Sequence, residues 1–370
     1  MAQGYSLKDQ LFNTKKVGYL AGLFEGIDQP AFEGAVMARL LDLELKERIT
    51  WIAQCLGEAL PGNLPQIAPA LLTALPPPLD PGKQDDDFGD FIFAPLGELV
   101  AARGLDHPEL ALNLLGEITQ RFSMEWAIRP FLNHCPELVL ARLAEWVHHD
   151  SYHVRRLVSE GTRPRLPWGM GVALDLSDPL ALLDQLHRDS TRYVTRSVAN
   201  HLNDITKKDP DLVMDRLEHW AVLDQQSPNE LAWMRSHSLR GLVKAGHPRA
   251  LAMLGYRADA DLACDVTIKP APVHIDGALD FKCRISAPES TPVLVDYVIH
   301  FAGDNGHVRR KVFKLKQGVV TGKAPLEMTK VHKLKGNAST FRLVPGAHQL
   351  DVQVNGTIRA TAAFTLLKPA

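Results

Sequence analysis

The hydrophobic pattern divides the chain into two parts with different periods. Up to about residue 258, apolar residues recur at the three- and four-residue spacing of amphipathic helices. Two early helices are indicated by the series Phe32, Val36, Met37, Leu40, Leu41 and the series Ile49, Ile52, Ala53, Leu56. Pro61-Gly62 ends the second helix, because neither residue continues a helix well. The N-terminal part is therefore predicted to be helical.

The helical part repeats itself with a period near 40 residues. Leu143-Ala-Glu-Trp146 resembles Leu217-Glu-His-Trp220, and Val154-Arg-Arg156 resembles Val194-Thr-Arg196. A third version of the second motif extends from Met234 to Arg240. Repeats of this length, built of paired helices, are typical of a HEAT-like α-solenoid. One face of such a stack is concave and available to a ligand.

The last third of the chain alternates between apolar and polar residues with a period of two. Inward positions are predicted for the series Leu279, Phe281, Cys283, Ile285 and the series Val293, Val295, Tyr297, Ile299. Turn sequences such as Asp276-Gly277 and Asn355-Gly356 separate the series. About seven short strands of this kind predict an immunoglobulin-like β-sandwich. The expected fold class is mainly α, with a HEAT-like α-solenoid in residues 1–258 and the sandwich in residues 262–370.

The segment 152–168 joins a helix to a stiff, cationic loop. Three of its polar residues lie on one helical stripe at i, i+4 and i+7: Arg156, Glu160 and Arg163. Gly161 ends the helix, and the prolines behind it prevent its resumption. The loop then carries Arg165 and Trp168. A helix end with solvated charges is one interpretation, but the recurrence of the same face in the next helical unit favours a binding surface.

The next helix, predicted at 191–208, carries two stripes. The buried stripe consists of Val194, Val198, Leu202 and Ile205. The polar stripe consists of Arg192, Arg196, Asn200, Asn203 and Lys207. A polar stripe is usually the solvated side of a helix, but asparagine is a mediocre helix former. Two asparagines in one stripe therefore favour a binding surface.

Composition indicates a globular protein. The 370 residues are 45% hydrophobic and 23% charged, and no apolar run approaches the roughly 18 residues of a membrane span. The N-terminus lacks the apolar core of a signal peptide. The four cysteines have no metal-ligand spacing and are interpreted as reduced thiols. We expect a cytoplasmic monomer without membrane association.

Charge is distributed unevenly along the chain. Residues 262–370 contain 15 basic and 8 acidic residues, whereas the remainder contains 26 basic and 35 acidic residues. A polyanion bound by the N-terminal part must therefore be held by a local basic face. The basic residues of the sandwich include Lys311, Lys314, Lys316, Lys330, Lys333 and Lys335. They could protect strand edges or contact phosphates, and the residues alone leave both open.

Two long motifs resemble the DNA alkylation repair family. The stretch Phe122-Ser-Met-Glu125-Trp126-Ala127-Ile128-Arg129-Pro130-Phe131-Leu132 and the segment 154–168 are similar to the AlkC branch of HEAT-repeat 3-methyladenine DNA glycosylases. The sequence around Asn200 to Asp204, with Asp209-Pro210, also matches. The resemblance covers roughly residues 5–258, and the sandwich is like the domain that some members of this branch carry.

The resemblance implies a monofunctional DNA glycosylase of base excision repair. Such an enzyme hydrolyses the N-glycosidic bond of cationic N3-alkylated bases, 3-methyladenine above all and also 3-methylcytosine. The DNA would be double-stranded and bound in the concave face, and the lesion need not be flipped into a deep pocket. No metal ion and no organic cofactor is implied. The alternative is a non-catalytic HEAT-repeat scaffold that binds DNA or protein.

Base release of this kind requires a carboxylate near the sugar. The alkylated base carries a positive charge and leaves readily, so the sugar becomes oxocarbenium-like, and a carboxylate near C1′ can stabilise it and orient water. The resemblance makes Glu125, expected at the start of a helix, the first candidate and Glu160 the second. Without it, each could be a surface glutamate paired with Arg129 or Arg156.

The DNA-binding candidates lie in the two helical segments described above. They are Arg156, Arg163, Arg165, Trp168, Arg192, Arg196, Asn200, Asn203 and Lys207. Arginine suits bidentate contact with phosphate. Trp168, in the loop, is suited to a cation–π contact with a methylated base. Trp126, in an apolar stretch, is expected in the core.

Overall fold

The computed structural model describes residues 6–83, 88–269, 272–303, 306–336 and 342–369. These residues form two compact units, one ending at Ser238 and the other beginning at Leu239. The first unit is helical, and the second consists of two short helices followed by strands. The order of solenoid and sandwich is as predicted, whereas the domain bounds at 258 and 262 stay a prediction. No helix in the described ranges is both long and apolar enough to cross a membrane.

The helices of the first unit are numbered in chain order. They are α1 (Leu7–Leu11), α2 (Thr14–Gly22), α3 (Gln29–Leu40), α4 (Leu45–Ala59), α5 (Leu64–Thr73), α6 (Ala94–Arg103), α7 (Pro108–Ile118), α8 (Arg129–His134), α9 (Pro136–Trp146), α10 (Tyr152–Gly161), α11 (Leu180–Leu186), α12 (Arg192–Ile205), α13 (Pro210–Leu223) and α14 (Pro228–Ser238). A 3₁₀ turn at Phe91–Phe93 precedes α6.

Helices separated by one intervening helix pack side by side. Helix α4 packs against α6, and α10 packs against α12, which packs against α14. Helices α5, α7 and α9 form a second row, and consecutive helices such as α6 and α7 connect the rows. This is the two-row packing of a HEAT-like stack. It places residues about one repeat apart in sequence next to each other in space.

Local sequence sets the helix ends. The Asn63 side chain accepts a hydrogen bond from Gln66 N, and the Gln66 side chain accepts one from Asn63 N, which makes a capping box at the start of α5. Asp209 caps α13 by accepting a hydrogen bond from Leu212 N, with proline at the first helical position. Helix α4 ends at Ala59, just before the predicted Pro61-Gly62 stop.

The second unit begins with α15 (Arg240–Ala245) and α16 (Pro248–Met253). Its strands are β1 (Ala263–Ile268), β2 (Val273–His274), β3 (Ala278–Ser286), β4 (Thr291–Ala302), β5 (Val308–Val320), β6 (Leu326–Lys333), β7 (Gly346–Val354) and β8 (Thr357–Leu367). One sheet has the order β1-β3-β6, and the other has the order β2-β8-β7-β4-β5. The β2–β8 pair is parallel and the other pairs are antiparallel.

The sandwich core lies between the two sheets. Phe281 from β3 and Tyr297 from β4 pack edge to face, with 5.2 Å between ring centroids. The inward series predicted for β3 and β4 is buried throughout. Alternation was a sound guide here because successive side chains of a strand point to opposite faces. Strands β5 and β6 form sheet edges on which several of the basic residues lie.

Candidate active site

A cavity of about 270 Å³ lies in the helical unit and is bordered by residues of α4, α6 and α10. Its lining combines carboxylates with aromatic rings: Glu98, Glu125, Glu160, Phe91, Phe122, Trp126 and Trp168. Lys46 and Arg163 also line it, together with Ile49, Leu166 and Pro167. Both candidate glutamates therefore face the same space.

The sequence predicted that Glu125 lies at the start of a helix. In the structure, Glu125 lies in a turn instead. The turn is closed by hydrogen bonds from Ala127 N and Ile128 N to Met124 O, of 3.1 and 3.3 Å, and α8 begins only at Arg129. A side chain at Gly97 would collide with the Met124 sulfur. The glycine thus lets α6 pack closely against the turn that presents Glu125 to the cavity.

Glu160 lies in the last turn of α10 and is 5% exposed. Its Oε1 accepts a hydrogen bond of 2.5 Å from Arg163 Nη1, and its Oε2 accepts one of 2.6 Å from Ser197 Oγ. Burial alone would raise the pKa of Glu160, but Arg156, Arg163 and the Ser197 hydroxyl together hold that pKa below its usual value. The side chain is therefore a fixed carboxylate at neutral pH.

Arg156 lies between the two glutamates. Its Nη1 is 3.7 Å from Glu125 Oε2 and its Nη2 is 3.7 Å from Glu160 Oε2. Nη1 also donates a 2.6 Å hydrogen bond to Ser123 Oγ, and Ser123 in turn donates to Glu125. The guanidinium carbon stacks 4.5 Å from the centre of the Tyr193 ring, a cation–π contact. One buried cation thus connects both carboxylates.

The electrostatics of Arg156 follow from this position. Burial alone would lower the pKa of Arg156, but Glu160, Tyr193 and Glu125 outweigh burial and raise that pKa. Burial raises the pKa of the Tyr193 phenol, so the ring stays neutral and supplies only its face. The cation is therefore permanent, and it helps to lower the pKa of Glu160.

The Arg163 side chain connects the loop after α10 to α12 through an ion pair. Its Nε and Nη2 both donate to Asp204 Oδ2, over 2.9 and 2.7 Å. Lys207 Nζ lies 2.7 Å from the other Asp204 oxygen. Asp204 was not a candidate site residue in the sequence analysis, yet it is buried at the site. The signal that could have found it is a stripe at i, i+4 and i+7 formed by Ser197, His201 and Asp204.

The predicted polar stripe of α12 faces a different neighbour. Arg192 pairs with Glu230 of α14, and its guanidinium lies 3.9 Å from the centre of the Trp233 ring. Asn200 Oδ1 lies 2.9 Å from His237 Nε2, also of α14. The remaining stripe residues range from buried to exposed: Asn203, Arg196 and Lys207. Arg192 and Asn200 therefore contact α14, whereas Lys207 contacts Asp204 at the site.

A buried arginine organises the loop that carries Trp168. Arg129 Nη1 donates to Gly161 O and Arg163 O, both over 3.0 Å, and Arg129 Nε donates to Met170 O. Burial and the nearby Arg163 lower the pKa of Arg129 to about 10, so it remains charged at neutral pH. The Arg129 side chain thus holds the loop from its buried side.

Trp168 and Trp126 both line the cavity. Trp168 is 47% exposed, and its carbonyl accepts a 3.2 Å hydrogen bond from Lys46 Nζ. Trp126, expected in the core, is half-buried and donates from Nε1 to Glu98 Oε2 over 3.3 Å. Arg165 is exposed. Among the described residues, no three His, Cys, Asp or Glu side chains are grouped to hold a metal ion.

Comparison with known proteins identifies the relatives of this chain. Residues 263–368 match the family described as "Uncharacterised protein YhaZ, C-terminal Ig-like domain", which confirms that the sandwich is immunoglobulin-like. The chain is 33% identical over 327 residues to "Uncharacterized protein YhaZ" of Bacillus subtilis (strain 168), with 87% of each chain covered.

A solved structure matches nearly the whole chain. It is the Pseudomonas fluorescens alkylpurine DNA glycosylase AlkC bound to DNA containing an abasic site analogue, with a TM-score of 0.85 and 31% identity. The match covers 98% of this chain and 99% of that one. Two relatives above 30% identity, each aligned over most of its length, leave one assignment: the chain belongs to the family that includes YhaZ and AlkC.

Proposed function

We propose that the protein is a monofunctional DNA glycosylase that removes cationic N3-alkylated bases from double-stranded DNA during base excision repair. The observation that carries the proposal is the convergence of Glu125 and Glu160 on Arg156 at the wall of one aromatic-lined cavity. The 31% identical AlkC, an alkylpurine DNA glycosylase, supports the reaction class.

The proposed substrates are 3-methyladenine and 3-methylcytosine in DNA. Methylation at N3 gives each base a positive charge, so that the base leaves as a neutral molecule and the charge moves to the sugar. A site for this reaction must stabilise positive charge at C1′ and supply water to it. Ionised carboxylates in a partly desolvated cavity meet the first requirement, because their field is screened less than in bulk water.

The two glutamates differ in how many of their carboxylate oxygens already accept hydrogen bonds. Both oxygens of Glu160 accept hydrogen bonds, from Arg163 and Ser197. Glu125 uses Oε2 for Ser123, and no donor within the described residues reaches its Oε1. We therefore assign Glu125 to orienting the attacking water and Glu160 to providing fixed negative charge. A water held by Glu125 would lie between the cavity aromatics and the sugar.

DNA contacts are assigned to exposed cations near the site. Arg156 and Arg163 are committed to carboxylates, so we assign them to holding the site instead of phosphate. Arg165 is exposed in the same loop and remains a phosphate candidate, and Lys207 is 53% exposed in its side chain. Trp168, at the cavity, is assigned to the cation–π contact with the base.

The decisive experiment measures base release directly. The full-length protein is incubated with dimethyl-sulfate-treated DNA, and free 3-methyladenine and abasic sites are quantified. Release by the wild-type protein is expected to be lost in Glu125→Gln and Glu160→Gln, while binding to DNA containing an abasic-site analogue is retained. Glu109→Gln, an exposed glutamate on α7, serves as the matched control and should release base normally.

Two results would count against this assignment. Undiminished release in both glutamine variants would remove the two carboxylates from the mechanism. Binding of methylated DNA without any release by the wild-type protein would favour the alternative, a non-catalytic HEAT-repeat scaffold. Cytoplasmic location and a monomeric state stay predictions.

A further inference from the structure

Glu98 differs from the other carboxylates of the cavity in its partners. Its Oε1 accepts a 3.2 Å hydrogen bond from Thr50 Oγ1, and its Oε2 accepts a 3.3 Å bond from Trp126 Nε1. Both donors are neutral and both bonds are long for their type. Within the described residues no basic side chain forms an ion pair with Glu98, whereas Glu125 and Glu160 both pair with Arg156.

The carboxylates around the cavity differ in their ion pairs. Glu125 and Glu160 pair with Arg156, and Glu160 also pairs with Arg163. Asp204, behind them, pairs with Arg163 and Lys207. Lys46 is exposed and donates to the Trp168 carbonyl, so solvent screens much of its charge. Glu98 is therefore the carboxylate of the cavity lining that has no ion-pair partner among the described residues, and a ligand with a single positive charge would supply one.

The rings beside Glu98 are suited to a flat cation. Phe91 and Phe122 lie 4.5 Å apart and Phe122 and Trp126 lie 5.8 Å apart, measured between ring centroids. Aromatic faces carry negative potential and attract cations, with the indole the strongest. Because the Trp126 N–H points at a carboxylate, electron density shifts toward the ring face, which strengthens that attraction.

A second cavity, of about 410 Å³, extends this environment. It is lined by Lys46, Glu98, Trp126 and Trp168, all of which also line the first cavity, and by residues such as Pro130 and Met170. Glu98 and Trp126 therefore border both cavities. A planar ring larger than one cavity can hold would still contact the same carboxylate.

We propose that Glu98, acting with Trp126, is the recognition element for a planar organic monocation. In the proposed reaction that monocation is the alkylated base, so Glu98 selects charged over neutral bases. This identification of the ligand rests on the proposed function, but the cation site itself does not. Glu98 contacts the base and not the sugar, which makes it a specificity residue distinct from Glu125 and Glu160.

The test uses a pair of probes that differ in charge. Tryptophan fluorescence of the full chain is titrated with 1-methylquinolinium and with quinoline, which is uncharged at neutral pH. The wild-type protein is expected to bind the cation about tenfold more tightly than the neutral ring, and Glu98→Gln should lose that preference. Glutamine keeps the size of the side chain and an oxygen for Trp126, and unchanged thermal unfolding would confirm that the variant folds.

The matched control is Glu58→Gln. Glu58 is exposed, and it borders the groove that it shares with Glu98 but does not line the aromatic cavity. The Glu58→Gln substitution removes the same charge nearby. The preference of this variant for the cation should therefore equal that of the wild-type protein. Equal binding of the two probes by the wild-type protein, or an undiminished preference in Glu98→Gln, would overturn the cation site.

Base release separates this inference from the proposed function. Release of 3-methyladenine is measured for the wild-type protein, Glu98→Gln and Glu58→Gln in parallel with the titrations. Selective cation binding through Glu98 without base release by the wild-type protein would overturn the glycosylase but leave the cation site standing. Base release with no charge preference in the titrations would do the reverse.

Discussion

Ser197 of α12 donates a 2.6 Å hydrogen bond to Glu160 of α10, across 37 residues of sequence. The same hydroxyl lies 3.0 Å from Ser159 Oγ. Both contacts follow from the packing of α10 against α12, in which residues one repeat apart become neighbours. The ionisation of one repeat's carboxylate is thus set partly by the side chains of the next repeat.

Replacing Ser197 by alanine should shift the pH dependence of base release. The hydroxyl helps to hold the pKa of Glu160 below its usual value, so its loss raises that pKa. A hydrogen bond to a charged group contributes roughly 1.5–3 kcal/mol, so we expect the acidic limb of the rate profile to move to higher pH by roughly one to two units. Ser190→Ala, in the exposed turn before α12, should leave the profile unchanged. An unmoved acidic limb in Ser197→Ala would contradict this role.

Replacing Arg156 by methionine should weaken the pH dependence of stability that Glu160 contributes. In the wild-type protein the pKa of Glu160 is lowered, so its contribution is complete above its unfolded pKa and is lost as pH falls through the folded pKa. Without Arg156 the pKa of Glu160 should rise, although Arg163 and Ser197 still oppose the effect of burial. The variant should then lose less stability than the wild-type protein as pH falls through the acidic range.

The loss of stability caused by Arg156→Met should also be large. Removing one partner of a buried ion pair costs about 3–5 kcal/mol, which thermal unfolding at neutral pH would register as a clear fall in Tm. Arg165→Met, which removes an exposed cation of the adjoining loop, should change Tm little. A loss of stability equal at acidic and neutral pH would show that packing against Tyr193, and not charge, is what Arg156 supplies.

Residues on one helix were predicted well, because helix geometry fixes their spacing. Arg156, Glu160 and Arg163 were placed on one stripe from sequence, and their side chains do meet. The rotation of a helix about its axis does not follow from the spacing of its residues, because it is set by packing against neighbouring helices. The predicted polar stripe of α12, with Arg192 and Asn200, faces α14.

The stripe of α12 that reaches Glu160 and Arg163 is shifted by one residue in the sequence from the predicted polar stripe. It consists of Ser197, His201 and Asp204, which are buried polar residues. Such a stripe is neither apolar nor solvated, so a hydrophobic pattern does not mark it. The same limit applies to Glu98, because the rings beside it come from other segments of the chain, namely Phe91, Phe122 and Trp126. Strand β2, only two residues long, is too short to show an alternation.

His201 gives a pH dependence of stability in a separate range. It is fully buried, with Nδ1 3.0 Å from Ser159 O, and burial lowers its pKa to about 4 from the ordinary 6.5. The folded state therefore binds the proton less readily than the unfolded chain. Stability is complete above the unfolded pKa, falls as pH drops from 6.5 toward 4, and loses roughly 3 kcal/mol in total.

The variant His201→Gln should flatten this dependence. Thermal unfolding measured at intervals between neutral pH and the folded pKa of His201 should show a smaller fall in Tm for the variant than for the wild-type protein. The Glu160 contribution lies lower, below that group's ordinary pKa of 4.5, so the two groups are distinguishable. A variant with the wild-type slope above pH 5 would mean that another group titrates there.

The sequence left two roles open for the basic residues at the edges of the sandwich, namely edge protection and phosphate contact. Lys314 and Lys316 are exposed on β5, an edge strand of the five-stranded sheet. If they contact phosphates, each should contribute about one unit to the slope of log affinity against log salt concentration. The double variant Lys314→Ala, Lys316→Ala should therefore reduce that slope by about two, while base release at saturating DNA stays unchanged.

Lys269→Ala is the matched control, because Lys269 follows β1 at the opposite edge of the other sheet and pairs with Asp280. Its salt slope should equal that of the wild-type protein. If the β5 lysines instead protect the edge, the double variant should keep the slope and self-associate, since an uncharged edge strand exposes unpaired backbone groups to another chain. Fluorescence anisotropy across a salt series, with light scattering on the same samples, separates the two roles.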